Sequence, residues 1–208
     1  MQIKQLFLCL LFCGYSMDGQ LFSQAWELEK DKEGIQVFTR KVEGYAIKEY
    51  KAIITLKTTI TKLTNLLKDH ANLKSWFVKC PISKRLKKVS DNEYYVYFLN
   101  DAPWPVSDRD NITKMTFELL DNGTQLVHLK CVPNYIPEKS GIVRLPRMQA
   151  KWMFEPKADG MVKVTQQVLA DLGGKVPGWL VNFAIVEAPF ETLCNLRKEI
   201  EVRSQTEN

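Results

Sequence analysis

Histidine is nearly absent from this chain: its 208 residues include two, His70 and His128. Neither neighbours a nucleophile motif such as GxSxG, and HExxH does not occur, so the common hydrolase and zinc-protease arrangements are excluded. Phosphate-cradling loops are missing too. Gly173-Gly174 is a bare pair with no GxGxxG around it and no GK[ST] after it. The five cysteines show no CxxC spacing, which argues against a metal or redox site; no cofactor and no metal are expected. No apolar run reaches the ~20 residues that a membrane-spanning helix needs. No self-similarity recurs at a fixed period, so this is not a repeat protein.

Charge of one sign is scarce as well. The formal net charge is +5, from 29 Lys and Arg against 24 Asp and Glu. A nucleic-acid binder would carry a stronger basic excess and a recognisable module, and neither zinc-finger nor RNP-type spacing is present, so no nucleic-acid partner is expected. The one basic cluster is Lys84-Arg85-Leu86-Lys87-Lys88. It fits a strand edge guarded by lysines, or an anionic membrane surface, where each cation contributes about 1 kcal/mol.

What is present begins with an export pattern. Lys4 precedes an unbroken apolar run over residues 6–13, and a polar stretch then ends in Ser23-Gln24-Ala25. This reads as a secretory signal peptide, cleaved after Ala25 or, in competition, after Ser16. An exported protein, periplasmic or secreted, is expected, with domains 1–25 (signal) and 26–208 (mature chain). Cys80, Cys131 and Cys194 would remain, an odd number that allows at most one disulfide and suits small buried hydrophobes.

The mature chain alternates apolar and polar residues over 35–41, 46–56, 82–90, 93–100, 112–120, 125–132, 147–155 and 161–170, with turn residues such as Asp121-Asn122-Gly123 between them. Eight strands joined mostly by short turns predict an antiparallel sheet. Helical spacing predicts a short helix at 26–30, a helix at 61–69 capped by Thr59 or Thr61 with a further turn to Trp76, and a long amphipathic helix over 177–203. Pro189 inside that last helix should kink it. Its apolar stripe must lie on the sheet. The fold class is therefore α+β of the helix-grip type, a curved antiparallel sheet wrapped around a long C-terminal helix, in one domain.

Two strands present wide apolar faces: Met115, Phe117 and Leu119 on one, Met148, Ala150, Trp152 and Phe154 on the other. Periodicity shows which side they face, and both a filled core and a hollow one remain open.

The segment Ala102-Pro103-Trp104-Pro105-Val106-Ser107-Asp108-Arg109-Asp110 resembles the PWP-x-S-x-RD signature of START domains, the steroidogenic-acute-regulatory-related lipid transfer family. Ser140-Gly141-Ile142-Val143-Arg144 looks like that family's approach to its penultimate strand. Gly173-Gly174-Lys175-Val176-Pro177-Gly178-Trp179-Leu180-Val181-Asn182 is similar to the stretch leading into its final helix. The resemblance implies a tunnel for one lipid or sterol, with the last helix and the loop 133–142 as lid. By position it implicates Trp104, Arg109, Arg144, Trp179, Leu180 and Phe183, alongside the inward-facing Met115, Phe117, Met148, Ala150 and Trp152. Choline-phospholipid binders carry an Arg three residues before the Trp that is here Trp76; this chain has Leu73 there. Arg109 and Arg144 remain readable either as headgroup contacts or as members of structural ion pairs. The resemblance implies a monomer that touches membranes transiently and does no chemistry. The competing readings are a helix-grip cyclase or hydrolase, which needs an inward acid or base, and an interaction domain with a filled core.

Overall fold

The computed structural model of the chain describes residues 24–206. The expected signal, apart from its last two residues, lies outside them. Strands β1 (Glu27–Lys32), β2 (Ile35–Arg40) and β3 (Glu49–Lys57) come first. Helix α1 (Ile60–Lys68) and a single 3-10 turn (Leu73–Ser75) follow. A meander of β4 (Ile82–Ser90), β5 (Glu93–Asn100), β6 (Arg109–Leu119), β7 (Gln125–Cys131), β8 (Val143–Arg144), β9 (Arg147–Pro156) and β10 (Met161–Asp171) then leads to the C-terminal helix. The sheet order is β1-β2-β3-β10-β9-β7-β6-β5-β4, antiparallel throughout that path, while β8 adds a short parallel pairing to β6.

The segment at 26–30 is a strand, not the helix its Glu and Lys content suggests. Glu33 and Gly34 both take positive φ, +54° and +71°, the geometry of a two-residue hairpin turn whose twist matches the flanking strands. That turn pairs Lys32 with Ile35 and carries β1 along β2 as an edge strand, so pairing overrides local helix propensity. On the other edge, β4 exposes Lys84, Arg85, Lys87 and Lys88 and carries two register irregularities, the features that keep an unpaired edge from adding another strand. Leu119, placed on the inner face by alternation, is exposed near the end of β6.

Helix α1 starts where Thr59 accepts the Lys62 N–H at 3.2 Å, as an N-cap should. It buries Leu63, Leu66 and Leu67. These residues and Trp76 form one cluster with Met115, Phe117, Val127, Trp152 and Phe154, with Trp76 edge-on to Trp152 at 5.7 Å. One end of the sheet's inner face is thereby filled.

The C-terminal helix is continuous but changes its hydrogen-bond register midway. It runs as α2 (Gly178–Asn182), one π-turn (Phe183–Glu187) and α3 (Ala188–Thr206). The Ala188 N–H reaches the Phe183 carbonyl five residues back, and Pro189, which has no N–H to give, follows at once. The wide turn absorbs the lost hydrogen bond that would otherwise kink the helix. Gly173 and Gly174, both at positive φ, turn the chain from β10 toward this helix. A Cβ on Gly173 would approach Val143 Cγ1 to 3.2 Å and Pro146 Cδ to 3.3 Å, so glycine is required there twice over.

Candidate functional site

Beyond the filled end, the inner face of the sheet and the C-terminal helix border a half-open cavity of about 250 Å³. Met148, Ala150 and Trp152 of β9 and Val168 and Ala170 of β10 form its floor, and Leu180, Phe183, Ala184, Ala188 and Pro189 its roof. The roof is thus the π-turn and its flanks. Period-2 geometry puts the odd-numbered residues of β6 inward, and their chemistry changes along the strand: Phe117 and Met115 are packed in the filled end, whereas Thr113, Asn111 and Arg109 line the cavity.

The polar groups in the wall are few. Thr113 Oγ1 donates to Asn111 Oδ1 at 2.6 Å. Gln166 on β10 is 5% exposed and its Oε1 has no partner. Tyr50 on β3 lines the wall, and loss of water pushes its phenol well above the ordinary value, so it stays neutral. Arg109 is 7% exposed. Its Nη1 donates to the Ser107 carbonyl and its Nε has no partner. Burial lowers the Arg109 guanidinium below its usual value, partly opposed by the charge of Asp108. At the rim stand Lys48, Lys79 and Asp101. No cluster of three or more His, Cys, Asp or Glu side chains able to hold a metal occurs among the described residues.

The neighbouring Arg and Asp of the signature go to opposite faces, as adjacent strand residues must. Asp110 turns away from the cavity and receives Arg144 in a two-pronged pair, Nε to Oδ1 at 2.6 Å and Nη2 to Oδ2 at 3.1 Å, both side chains almost fully buried. Arg144 also donates to the carbonyls of Pro133, Ile136 and Pro137. The hydrogen-bonded carboxylate holds the Arg144 guanidinium above its ordinary value. Every donor this arginine spends is spent on the loop 133–142 and the strand beneath it, so its role is to fasten that loop.

Of the residues marked from sequence, the cavity brings together Arg109, Met148, Ala150, Trp152, Leu180 and Phe183. Met115 and Phe117 belong to the filled end, and Arg144 is committed to Asp110. Trp104 and Trp179 face solvent, 92% and 58% exposed, although each lies within two residues of a lining residue, Ala102 and Leu180. Tyr50, Asn111, Thr113 and Gln166 were missed. Three polar residues at alternate positions of β6, 109, 111 and 113, were the readable signal for a wall that is not simple core. Leu73, in place of the choline binders' arginine, is fully buried among apolar residues. Cys80, Cys131 and Cys194 are unbonded; burial pushes the Cys80 thiol up to about 12, which makes it inert.

Comparison with known proteins agrees with this geometry. An uncharacterised Pseudomonas aeruginosa protein is 34% identical over 189 residues, covering 91% of this chain and 93% of that one. Bovine phosphatidylcholine transfer protein is 27% identical over 179 residues, covering 83% and 82%. The crystal structure of a STAR-related lipid transfer protein from Xanthomonas axonopodis superposes with a TM-score of 0.79 at 39% identity, over 86% of this chain and 99% of that one. The START domain family model matches residues 16–193, and the chain belongs to the START domain family.

Proposed function

We propose that the protein binds one lipid or sterol-like amphiphile in this cavity and carries it between membranes without altering it, as an exported monomer. The supporting observation is the mostly apolar, half-open space roofed by a helix that carries a π-turn at the roof itself. Each methylene moved from water into such a space gains about 0.8 kcal/mol. A bilayer offers the same gain, so exchange between the two is near thermoneutral and the barrier is the opening of the roof. Transfer without chemistry is favoured because proton transfer needs a group poised near neutral pH. The inner wall offers a neutral phenol, amides, the hydroxyls of Thr113 and Thr192 and a guanidinium; Asp101, Lys48 and Lys79 stand at the rim, and no histidine lines the cavity among the described residues. Membrane contact is supported by Trp104 and Trp179, whose exposed indoles flank lining residues and suit the headgroup boundary. Export rests on Lys4, the apolar run 6–13 and Ser23-x-Ala25.

Native mass spectrometry of protein purified from its own host tests both parts. The expected result is a chain lacking residues 1–25 with one lipid-sized adduct that collisional activation removes. A chain still beginning at Met1 would overturn export. A ligand-free protein that also fails to move a fluorescent lipid between vesicles would overturn the lipid reading.

A further inference from the structure

Arg109 is the charged side chain that the cavity wall buries without an ion pair among the described residues, Asp108 acting on it only from a distance. Its 7% exposure contrasts with the exposed Lys79 and Asp101 at the rim, and with Lys48, which is paired to Glu27 and Glu29. The carboxylates adjoining it in sequence are engaged elsewhere: Asp110 lies on the opposite face with Arg144, and Asp108 Oδ1 accepts the Ala102 N–H at 2.9 Å. A buried guanidinium with one local carbonyl and an unpartnered Nε is costly to keep, unless the space beside it is meant to hold its partner. That space is apolar beyond the arginine, through Leu129, Ala150 and Met148. At about 250 Å³ it lies below the usual ~300–1,000 Å³ of small-molecule pockets, because aromatic side chains already occupy the other end of the sheet.

We propose that the ligand is a single-chain amphiphile with an anionic headgroup, a carboxylate or a phosphate monoester, that Arg109 holds through Nε and a neighbouring amino group. Arginine's planar fork matches either oxyanion, and the same charge discriminates against neutral alcohols and sterols of equal length. This deepens the lipid-binding reading and rests on it.

The test compares three probes with one chain length, decanoate, decyl phosphate and decanol, titrated calorimetrically into delipidated protein. Decanoate or decyl phosphate is expected to bind about tenfold or more tighter than decanol, the worth of one charged hydrogen-bonded contact. The tighter of the two identifies the headgroup chemistry. Arg109→Gln should bring the anions down to the affinity of decanol and leave decanol itself unchanged, while Arg109→Lys keeps part of the preference. Equal binding of all three by the parent protein, or a preference that survives in Arg109→Gln, overturns the proposal while the apolar cavity stands. Silence from all three overturns the lipid reading with it. Because the variants could fail to fold, the parent protein alone supplies a further measure: carboxyl-labelled decanoate followed by NMR against pH. Next to a buried cation the bound carboxyl should remain ionised at a pH where the free acid is half protonated. A bound carboxyl that titrates at or above the free acid overturns the assignment.

Discussion

Met115 and Ala150 sit on the same inner face, through Leu129 of the intervening strand, yet the same substitution should act on them in opposite ways. Met115 is fully buried in the filled end with Phe117 and Tyr94. A tryptophan there has no free volume, and overpacking costs about 1–3 kcal/mol. Ala150 opens onto a cavity of about 250 Å³. An indole buries roughly 150–250 Å², and at about 25 cal/mol per Å² even half of that gives about 2–3 kcal/mol. Ordering the larger side chain costs about 1–2 kcal/mol in return, so Ala150→Trp should be neutral or mildly stabilising. The assay is urea unfolding of delipidated protein, since bound lipid itself raises apparent stability. With a slope near 2 kcal/mol per molar, Met115→Trp should lower the midpoint by about 0.5–1.5 M, whereas Ala150→Trp should leave it unchanged or raise it. Binding should invert the order: Ala150→Trp occupies ligand space and loses uptake, while Met115→Trp, assayed where it remains folded, keeps it. If Ala150→Trp is destabilised as strongly as Met115→Trp and still binds ligand, the void is not where the ligand sits.

Two further predictions concern groups outside the cavity. Arg144→Met leaves Asp110 buried without its partner and frees three loop carbonyls. A loss of about 3–5 kcal/mol is expected in thermal or denaturant unfolding, and a loss below 1 kcal/mol would show that the pair does not fasten the loop. His70 is buried against Tyr94, with ring centroids 4.7 Å apart, and both its nitrogens lack partners; burial, with Arg85 nearby, lowers its pKa from 6.5 to about 4. The unfolded chain then binds a proton that the folded chain refuses, so stability should fall as pH drops from 6.5 toward 4. His70→Leu should remove that component from the pH profile of unfolding, and an unchanged profile would refute the assignment.

Period-2 alternation located eight of the strands because one face of most of them meets the core, and burial imposes that pattern on sequence. The hairpin at Glu33-Gly34 escaped because its strand, β1, reads ELEKDK, charged at all positions but Leu28, so no apolar alternation marks it. An irregularity in the last helix was legible at Pro189, as an expected kink. Its form, a π-turn placed over the cavity, depends on the register of hydrogen bonds and leaves no spacing in the sequence. The candidate site divides in the same way. Met148, Ala150, Leu180 and Phe183 could be named because facing inward is a local property. Met115 and Phe117 face the same way and are packed, because α1 and Trp76 reach across from elsewhere in the chain to cover them. Facing is local; filling is tertiary.

The two sides of the roof are held with unequal strength, and this bears on how a ligand would pass. The loop 133–142 is fastened by Arg144 through three carbonyls and a buried carboxylate, by Lys139 donating to Tyr97 Oη at 3.1 Å, and by Tyr135 stacked on Tyr95 at 4.3 Å. Moving it means breaking the hydrogen bonds from a buried guanidinium to three loop carbonyls, each worth about 1.5–3 kcal/mol. The segment 178–187 is tied by one half-exposed ion pair, Glu187 with Lys30, and by the burial of Leu180 and Val186. Paired glycines precede it and the π-turn ends it, so both its ends already have backbone geometry that deforms at low cost. Leu180 and Phe183 face the cavity, and at a bilayer surface those side chains would exchange one apolar surrounding for another. Swinging α2 outward would therefore cost least where a membrane is present, with exposed Trp179 on that segment to meet it, and most in water, where the apolar lining would be left wet.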